Sequence, residues 1–236
     1  MIHQIYVQPI LDRNGQNLCR EIFDEVWKIE YATEITSNLL QAMIHGGAYL
    51  SGAFIKDVCV GAAFAFPATT NGLHLHSHMT AVLDKYRDQG VGTALKLDQW
   101  NWAKKHNYSY VSWTFDPLVR RNARLNIVKL GVEISTYYPN FYGDMPDALN
   151  AGDESDRLMV FWSTNIDAPK SRDLITNPAR SDTLIKIPED IVSIRSKNQS
   201  ESMKWRRQVR EQFMAAFEEN GKVIGLSANN EYVVRI

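Results

Sequence analysis

Ala81-Val82-Leu83-Asp84-Lys85-Tyr86-Arg87-Asp88-Gln89-Gly90-Val91-Gly92-Thr93-Ala94-Leu95 joins two kinds of order. Before it, residues 73–83 read as a strand whose apolar run closes on Val82. After it, a helix is expected over 91–106, with Val91, Leu95 and Trp102 on one side. Gly90 and Gly92 leave out side chains where backbone would approach a ligand. The first N–H groups of the helix and its dipole favour a phosphate or pyrophosphate there. Arg87 can add a charge-assisted contact. An ordinary strand-to-helix turn would use the same glycines, so spacing alone leaves both readings open.

Two nucleotide-binding alternatives make different demands. A dinucleotide fingerprint needs a small residue three positions after the second glycine, where Leu95 stands. It also needs glycines close behind the strand, whereas Leu83 to Gln89 intervene. Asp116, at the end of the next expected strand, could imitate the ribose-binding acid, which keeps this alternative open. A Walker loop needs Gly-Lys-Ser/Thr, and none follows.

Outward from the loop, residues 3–9 read as a strand and Asp12-Arg13-Asn14-Gly15 as a turn. Leu18, Ile22, Val26 and Ile29 stripe a helix over 17–30. Ser37 is expected to cap a helix over 38–45 that Gly46-Gly47 ends. Residues 48–55 and 58–66 read as a hairpin around Lys56-Asp57. Beyond the central helix come a strand over 108–114, a helix over 119–130 ended by Gly131, and strands over 132–138 and 157–163. Residues 164–185 are rich in Ser, Asp, Asn, Pro and Lys and read as a linker. The tail holds a short strand from Thr183 to Ile187 and a helix over 200–219. Trp205, Val209, Phe213 and Phe217 form its expected core stripe, with Arg206 and Arg207 solvated. Strands over 222–226 and 231–236 close the chain. Strands in series, followed by strands alternating with helices, argue for a mixed α/β sheet.

The stretch 81–95 resembles the signature of GNAT acetyltransferases, in which a strand ending in Val leads to Arg/Gln-x-x-Gly-x-Gly/Ala. The element order from 3 to 163 is similar to that family's as well. His76-Ser77-His78-Met79, Thr114-Phe115-Asp116-Pro117 and Asn140-Phe141-Tyr142-Gly143 resemble a bacterial group within it. The resemblance implies a GNAT-type mixed, mostly antiparallel sheet flanked by helices over residues 1–164, with a C-terminal α/β extension over 165–236. It implies acetyl-CoA, or another acyl-CoA, as co-substrate and no metal. It further implies transfer of the acyl group to a primary amine of a small molecule by direct attack in a ternary complex. Ala81 and Val82 are implied as backbone partners of the pantetheine arm and acyl carbonyl. Arg87, Asp88, Gln89, Gly90, Val91, Gly92 and Thr93 are implied round the pyrophosphate, with Asn122 as a contact from the following helix.

His74, His76 and His78 alternate along the strand and so share one face. One of them can serve as general base, since histidine titrates near neutrality. Some members of the resembled family carry a glutamate base at the place that counting back from Gly90 gives to His76, provided the strand has no bulge. A metal is the second reading, with Asp116 or Glu133 as a further ligand. Polar residues on a partly buried face are the third.

The resemblance also implies a tyrosine general acid four residues before the glycine that ends the helix, but Ile127 stands there. Tyr142 and Tyr138 are the alternatives, unless their aromatic loop only packs or covers. Arg120, Arg121 and Arg124 suit CoA phosphates or a substrate carboxylate, or else a solvated face. Asp116 suits a substrate amine or a helix cap.

The 236 residues carry a net charge of −1, 44% hydrophobic and 22% charged residues. That balance gives no general attraction to nucleic acid or to an anionic membrane. Cys19 and Cys59 make neither a disulfide framework nor a zinc site and fit a reducing cytoplasm. No signal peptide and no run of about 20 apolar residues is visible. The tail helix is expected to pack on the sheet or on a second subunit, which makes a homodimer a candidate assembly. A CoA-binding sensor or pseudoenzyme without turnover is the alternative function.

Overall fold

The computed structural model describes residues 4–28, 35–143, 145 and 152–236. The strands are β1 (Ile5–Pro9), β2 (Tyr49–Ile55), β3 (Val58–Ala68), β4 (His74–Val82), β5 (Tyr110–Phe115), β6 (Glu133–Tyr138), β7 (Arg157–Ser163), β8 (Thr183–Ile185), β9 (Lys222–Leu226) and β10 (Tyr232–Arg235). The helices are α1 (Arg13–Trp27), α2 (Ser37–His45), α3 (Val91–Lys105), α4 (Arg120–Ala123), α5 (Ile191–Lys197) and α6 (Gln199–Glu218). Seven strands form one mixed, mostly antiparallel sheet in the order β1-β2-β3-β4-β5-β7-β6, flanked by helices, and three form a smaller sheet in the order β8-β10-β9. His3 and Ile29, read into the first strand and first helix, lie outside the described residues.

The chain's contacts divide it into two compact units: residues 1–113 with 163–167, and residues 114–162 with 168–236. In the first, α1 starts earlier than its apolar stripe suggests. The Asp12 carboxylate accepts bonds from the N–H groups of Asn14 and Gly15, both at 3.0 Å, so the expected turn is the first turn of the helix. Thr36, one residue before the expected Ser37, caps α2 through Leu39 N–H at 3.3 Å. Cys19, Phe23 and Leu40 from these helices pack with Phe54, Ala62, Phe64, Met79 and Ala81 on one face of the sheet. Burying each of the larger side chains contributes about 1.5–3 kcal/mol. The opposite face receives α3. A side chain at Gly61 would lie 3.1 Å from Val91 and 3.2 Å from Leu95, so glycine is what admits the helix this close.

The second unit is built round α6. Its buried stripe is Ser202, Arg206, Val209, Phe213 and Ala216. Phe213 stacks on Tyr137 at 5.4 Å and meets Tyr232 edge-on at 5.0 Å. The expected stripe therefore needs correcting at one end: Arg206 is only 1% exposed, and Trp205 is half-buried. Arg206 turns inward because Asp116 and Asp153 wait there, at 2.8 and 2.9 Å. The expected helix over 119–130 is α-helical only over α4. It continues as a π-helical turn over Arg124–Lys129, with Leu130 N–H bonded five residues back to Leu125 at 2.9 Å. Gly131, at φ +64°, ends it.

Candidate active site

The first unit holds a strand edge that is only partly used. β4 pairs along β3 from His74 to Val82, but it pairs with β5 only at Leu75–Val111 and His76–Ser112. Within the first unit, β4 makes no further pair with β5 from Ser77 onward, which leaves this edge open there. Leu83 N–H bonds Val60 C=O at 3.0 Å, which fixes which groups face that opening. Strand backbone alternates direction, so Ala81 spends its N–H and C=O on β3, while Thr80 and Val82 direct theirs to the open edge. The side chain of Thr80 adds a buried hydroxyl with no hydrogen-bond partner. Unused polar groups on a half-buried strand suit an extended ligand that carries amides.

The glycine loop follows directly. A 3-10 turn over Asp84–Tyr86 leads to Asp88 at φ 60° and Gly90 at φ 89°. Gly90 caps α3 with no side-chain bond, and the first bond of the helix is Ala94 N–H to Gly90 C=O at 2.9 Å. The N–H groups of Val91, Gly92 and Thr93 precede that first bond and stay free for an anion. Gln89 is occupied with Lys85 C=O at 3.0 Å, and Arg87 pairs with Asp84. That exposed pair is worth little and can open to a phosphate.

The three histidines do not have equal surroundings. His74 is buried, stacks on Tyr110 at 4.4 Å and donates from Nδ1 to Gly72 C=O at 2.9 Å. It is satisfied where it is. His76 is half-buried, with Nδ1 3.0 Å from Ser112 Oγ and its ring 5.3 Å from Phe66. Burial first, then the nearby His78, His74 and Lys96, lower its pKa to about 4. His78 is exposed and stands against Phe64 and Phe66. Desolvation lowers its pKa below the usual value. The register steps from Phe64–Met79 to Ala65–Ser77, so His78 is the extra residue of a β-bulge. The count from Gly90 to His76 presumed a strand without a bulge, and the bulge falls between those two points. Among the described residues no group of three or more His, Cys, Asp or Glu side chains could hold a metal.

Lys96 belongs to this region and was not singled out from the sequence. It lies on α3, 4% exposed, with Nζ 2.7 Å from Ser77 Oγ, 3.4 Å from Gln99 Oε1 and 3.8 Å from the ring centre of Trp113. Burial lowers its pKa to about 7. The available signal was its place beside Leu95, Gln99, Trp100 and Ala103 on the buried stripe of α3.

The remaining candidates lie in the second unit. Tyr142 is 41% exposed, and its hydroxyl is 3.1 Å from Thr114 Oγ1. Asn122 is half-buried in α4. Ile127 is fully buried. Arg120 donates to Ile187 C=O at 3.3 Å, and Arg124 binds Asn230. Asp116 caps the chain after β5 through Leu118 N–H at 2.9 Å and pairs with Arg195 and Arg206 at 2.9 and 2.8 Å. Burial alone would raise its pKa, but Arg206 and Arg195 hold it well below the carboxylate range. Its two oxygens are spent on the fold.

Residues 14–125 match the model of the acetyltransferase (GNAT) family. Solved structures share the fold. The ribosomal-protein-S18-alanine N-acetyltransferase of Escherichia coli superimposes with a TM-score of 0.55 at 12% identity, over 70% of this chain and 97% of that one. Arabidopsis thaliana NAA60, in complex with a bisubstrate analogue, gives 0.54 at 15% identity, over 68% and 98%. Arabidopsis thaliana Naa50, in complex with the bisubstrate analogue CoA-Ac-MVNAL, gives 0.51 at 19% identity, over 67% and 98%. No curated protein sequence matches the chain.

Proposed function

We propose, from the match of residues 14–125 to the model of the acetyltransferase (GNAT) family, that the chain is an N-acyltransferase that moves an acetyl or other short acyl group from acyl-CoA to a primary amine of a small molecule. One observation carries the reading: the open edge of β4 ends at a left-handed glycine loop that presents free helix N–H groups. The pantetheine amides would bond Thr80 and Val82, and the pyrophosphate would sit on residues 87–93, chiefly on the N–H groups of Val91, Gly92 and Thr93. The NAA60 and Naa50 complexes hold bisubstrate analogues on the same fold, which supports the placement.

The chemistry is direct attack. His78, exposed at the bulge, takes a proton from the substrate ammonium. His76, held by Ser112 and lowered to about 4, is the weaker acceptor and stays neutral beside it. The amine attacks the thioester carbonyl, and backbone N–H groups at the open edge stabilise the oxyanion. The attacking nitrogen gives its surplus proton to water, the C–S bond breaks, and the CoA thiolate takes a proton from Tyr142, the proposed donor, which water reprotonates. Asn122 stays a proposed cofactor contact. The division into a transferase domain over 1–164 and an extension over 165–236, a cytoplasmic location and a homodimer are part of the same proposal.

Native mass spectrometry followed by a thiol-release screen with acetyl-CoA and an amine panel tests it. A 1:1 acetyl-CoA adduct and amine-dependent thiol release are expected. Binding without release across the panel would instead support the sensor reading, which the isoleucine at position 127 favours.

A further inference from the structure

The second unit contains a buried guanidinium that pairs with no carboxylate among the described residues. Asp116 and Asp153 each face both Arg195 and Arg206, at 2.8–3.0 Å, so two carboxylates and two guanidiniums balance. Arg157 is a third guanidinium in the same neighbourhood, only 6% exposed. Its bonds go to Asp156 C=O at 2.9 Å and to the thioether of Met145 at 3.1 Å, a weak acceptor. No carboxylate lies within ion-pair distance of it among the described residues. The carboxylate of Asp156 itself is taken up by Tyr137 at 2.6 Å, Asn140 N–H at 2.9 Å and Arg210. Burial outweighs the pull of Asp116 and Tyr142 and lowers the pKa of Arg157. A buried guanidinium without a counter-ion is costly, and an anion relieves the cost.

What surrounds Arg157 narrows the class of anion. Its guanidinium lies 5.2 Å from the ring of Tyr142. Phe141 meets Tyr142 edge-on at 4.7 Å, and Tyr138 lies 5.2 Å from Phe141. These three rings are 36–42% exposed, although large apolar side chains usually turn inward. A cation beneath an exposed aromatic wall fits a ligand with a carboxylate at one end and an apolar body.

We propose that Arg157, Tyr142 and Phe141 form a binding site for the carboxylate of an apolar amino acid, with the guanidinium pairing to the carboxylate through parallel N–H bonds. Its assignment as the acyl acceptor rests on the transferase reading; the site itself does not.

Calorimetric titration of the full chain with L-phenylalanine, L-phenylalaninamide and phenylacetate tests the site directly. The amide lacks the carboxylate, and phenylacetate lacks the amine. L-Phenylalanine and phenylacetate are expected to bind at least about tenfold more tightly than the amide. Arg157→Gln should remove that preference. Arg157→Lys, which keeps the charge and loses the fork, should weaken it and serves if the glutamine variant does not fold. Equal binding of acid and amide by the wild type, or an unchanged preference in both variants, overturns the proposal. Thiol release separates the two sources of carboxylate. Acylation of L-phenylalanine with lower KM than its amide makes the carboxylate the acceptor's. Carboxylate binding with no thiol release supports the site for a free acid and counts against the transferase reading alone.

Discussion

Gly90, His78 and Lys96 each carry a separate part of the account. Gly90 holds φ at 89°, and no atom lies nearer than 3.9 Å to where a Cβ would stand, so alanine there meets strain rather than collision. The left-handed region costs a non-glycine residue about 1–2 kcal/mol. Gly90→Ala should therefore weaken acetyl-CoA binding about tenfold with little loss of fold, read by calorimetry and melting. His78→Ala should lower kcat/KM about 10²-fold, and His76→Ala less than tenfold. The wild-type profile should fall on its acid side below the ordinary histidine range, because a protonated imidazole cannot accept and the pKa of His78 is lowered. The reverse pattern of the two variants would assign the base to His76. Lys96 has a native pKa of about 7 against an unfolded value near 10.4. The unfolded state binds the extra proton between those values, so this group makes stability rise with pH from 7 to about 10.4. Lys96→Met should raise the melting temperature at pH 7 and flatten that rise. The histidine face was legible from alternation, because strand period fixes it. Lys96 was not, because a lysine within an apolar helix stripe usually carries its amine out to water, and only packing shows this one enclosed.

Elements explain where pattern and structure part. β4 was legible as a strand, and so was the loop that follows it, since alternation and glycine spacing are local. The opening between β4 and β5 was not, because it depends on which pairs form after His76, and no local pattern encodes a pair that is missing. The bulge at His78 is hidden for the same reason. α6 shows the converse case. Four-residue spacing located the helix, but hydrophobicity assigned Arg206 to solvent, and distant Asp116 and Asp153 bring it inside. Removing one partner of a buried pair leaves uncompensated charge. Arg206→Ala should cost about 3–5 kcal/mol in chemical denaturation. Asp116, held below its unfolded pKa, contributes stability that is present above the unfolded value and lost as pH falls through the native one.

On the scale of the whole molecule, the family resemblance read from 81–95 and the order of elements agree with the family match over 14–125 and with the seven-stranded sheet. No helix among the described residues is long and apolar enough to cross a membrane. The acceptor was not legible, since the signature over 81–95 lies in the strand, loop and helix proposed to receive the cofactor. The central claim is that acyl-CoA lies along the open edge of β4 with its pyrophosphate on the start of α3. Amide hydrogen exchange of the protein with and without saturating acetyl-CoA tests it most directly. The account predicts slowed exchange at Thr80, Val82, Val91, Gly92 and Thr93. Unchanged exchange at all five amides under conditions where acetyl-CoA is bound would contradict it.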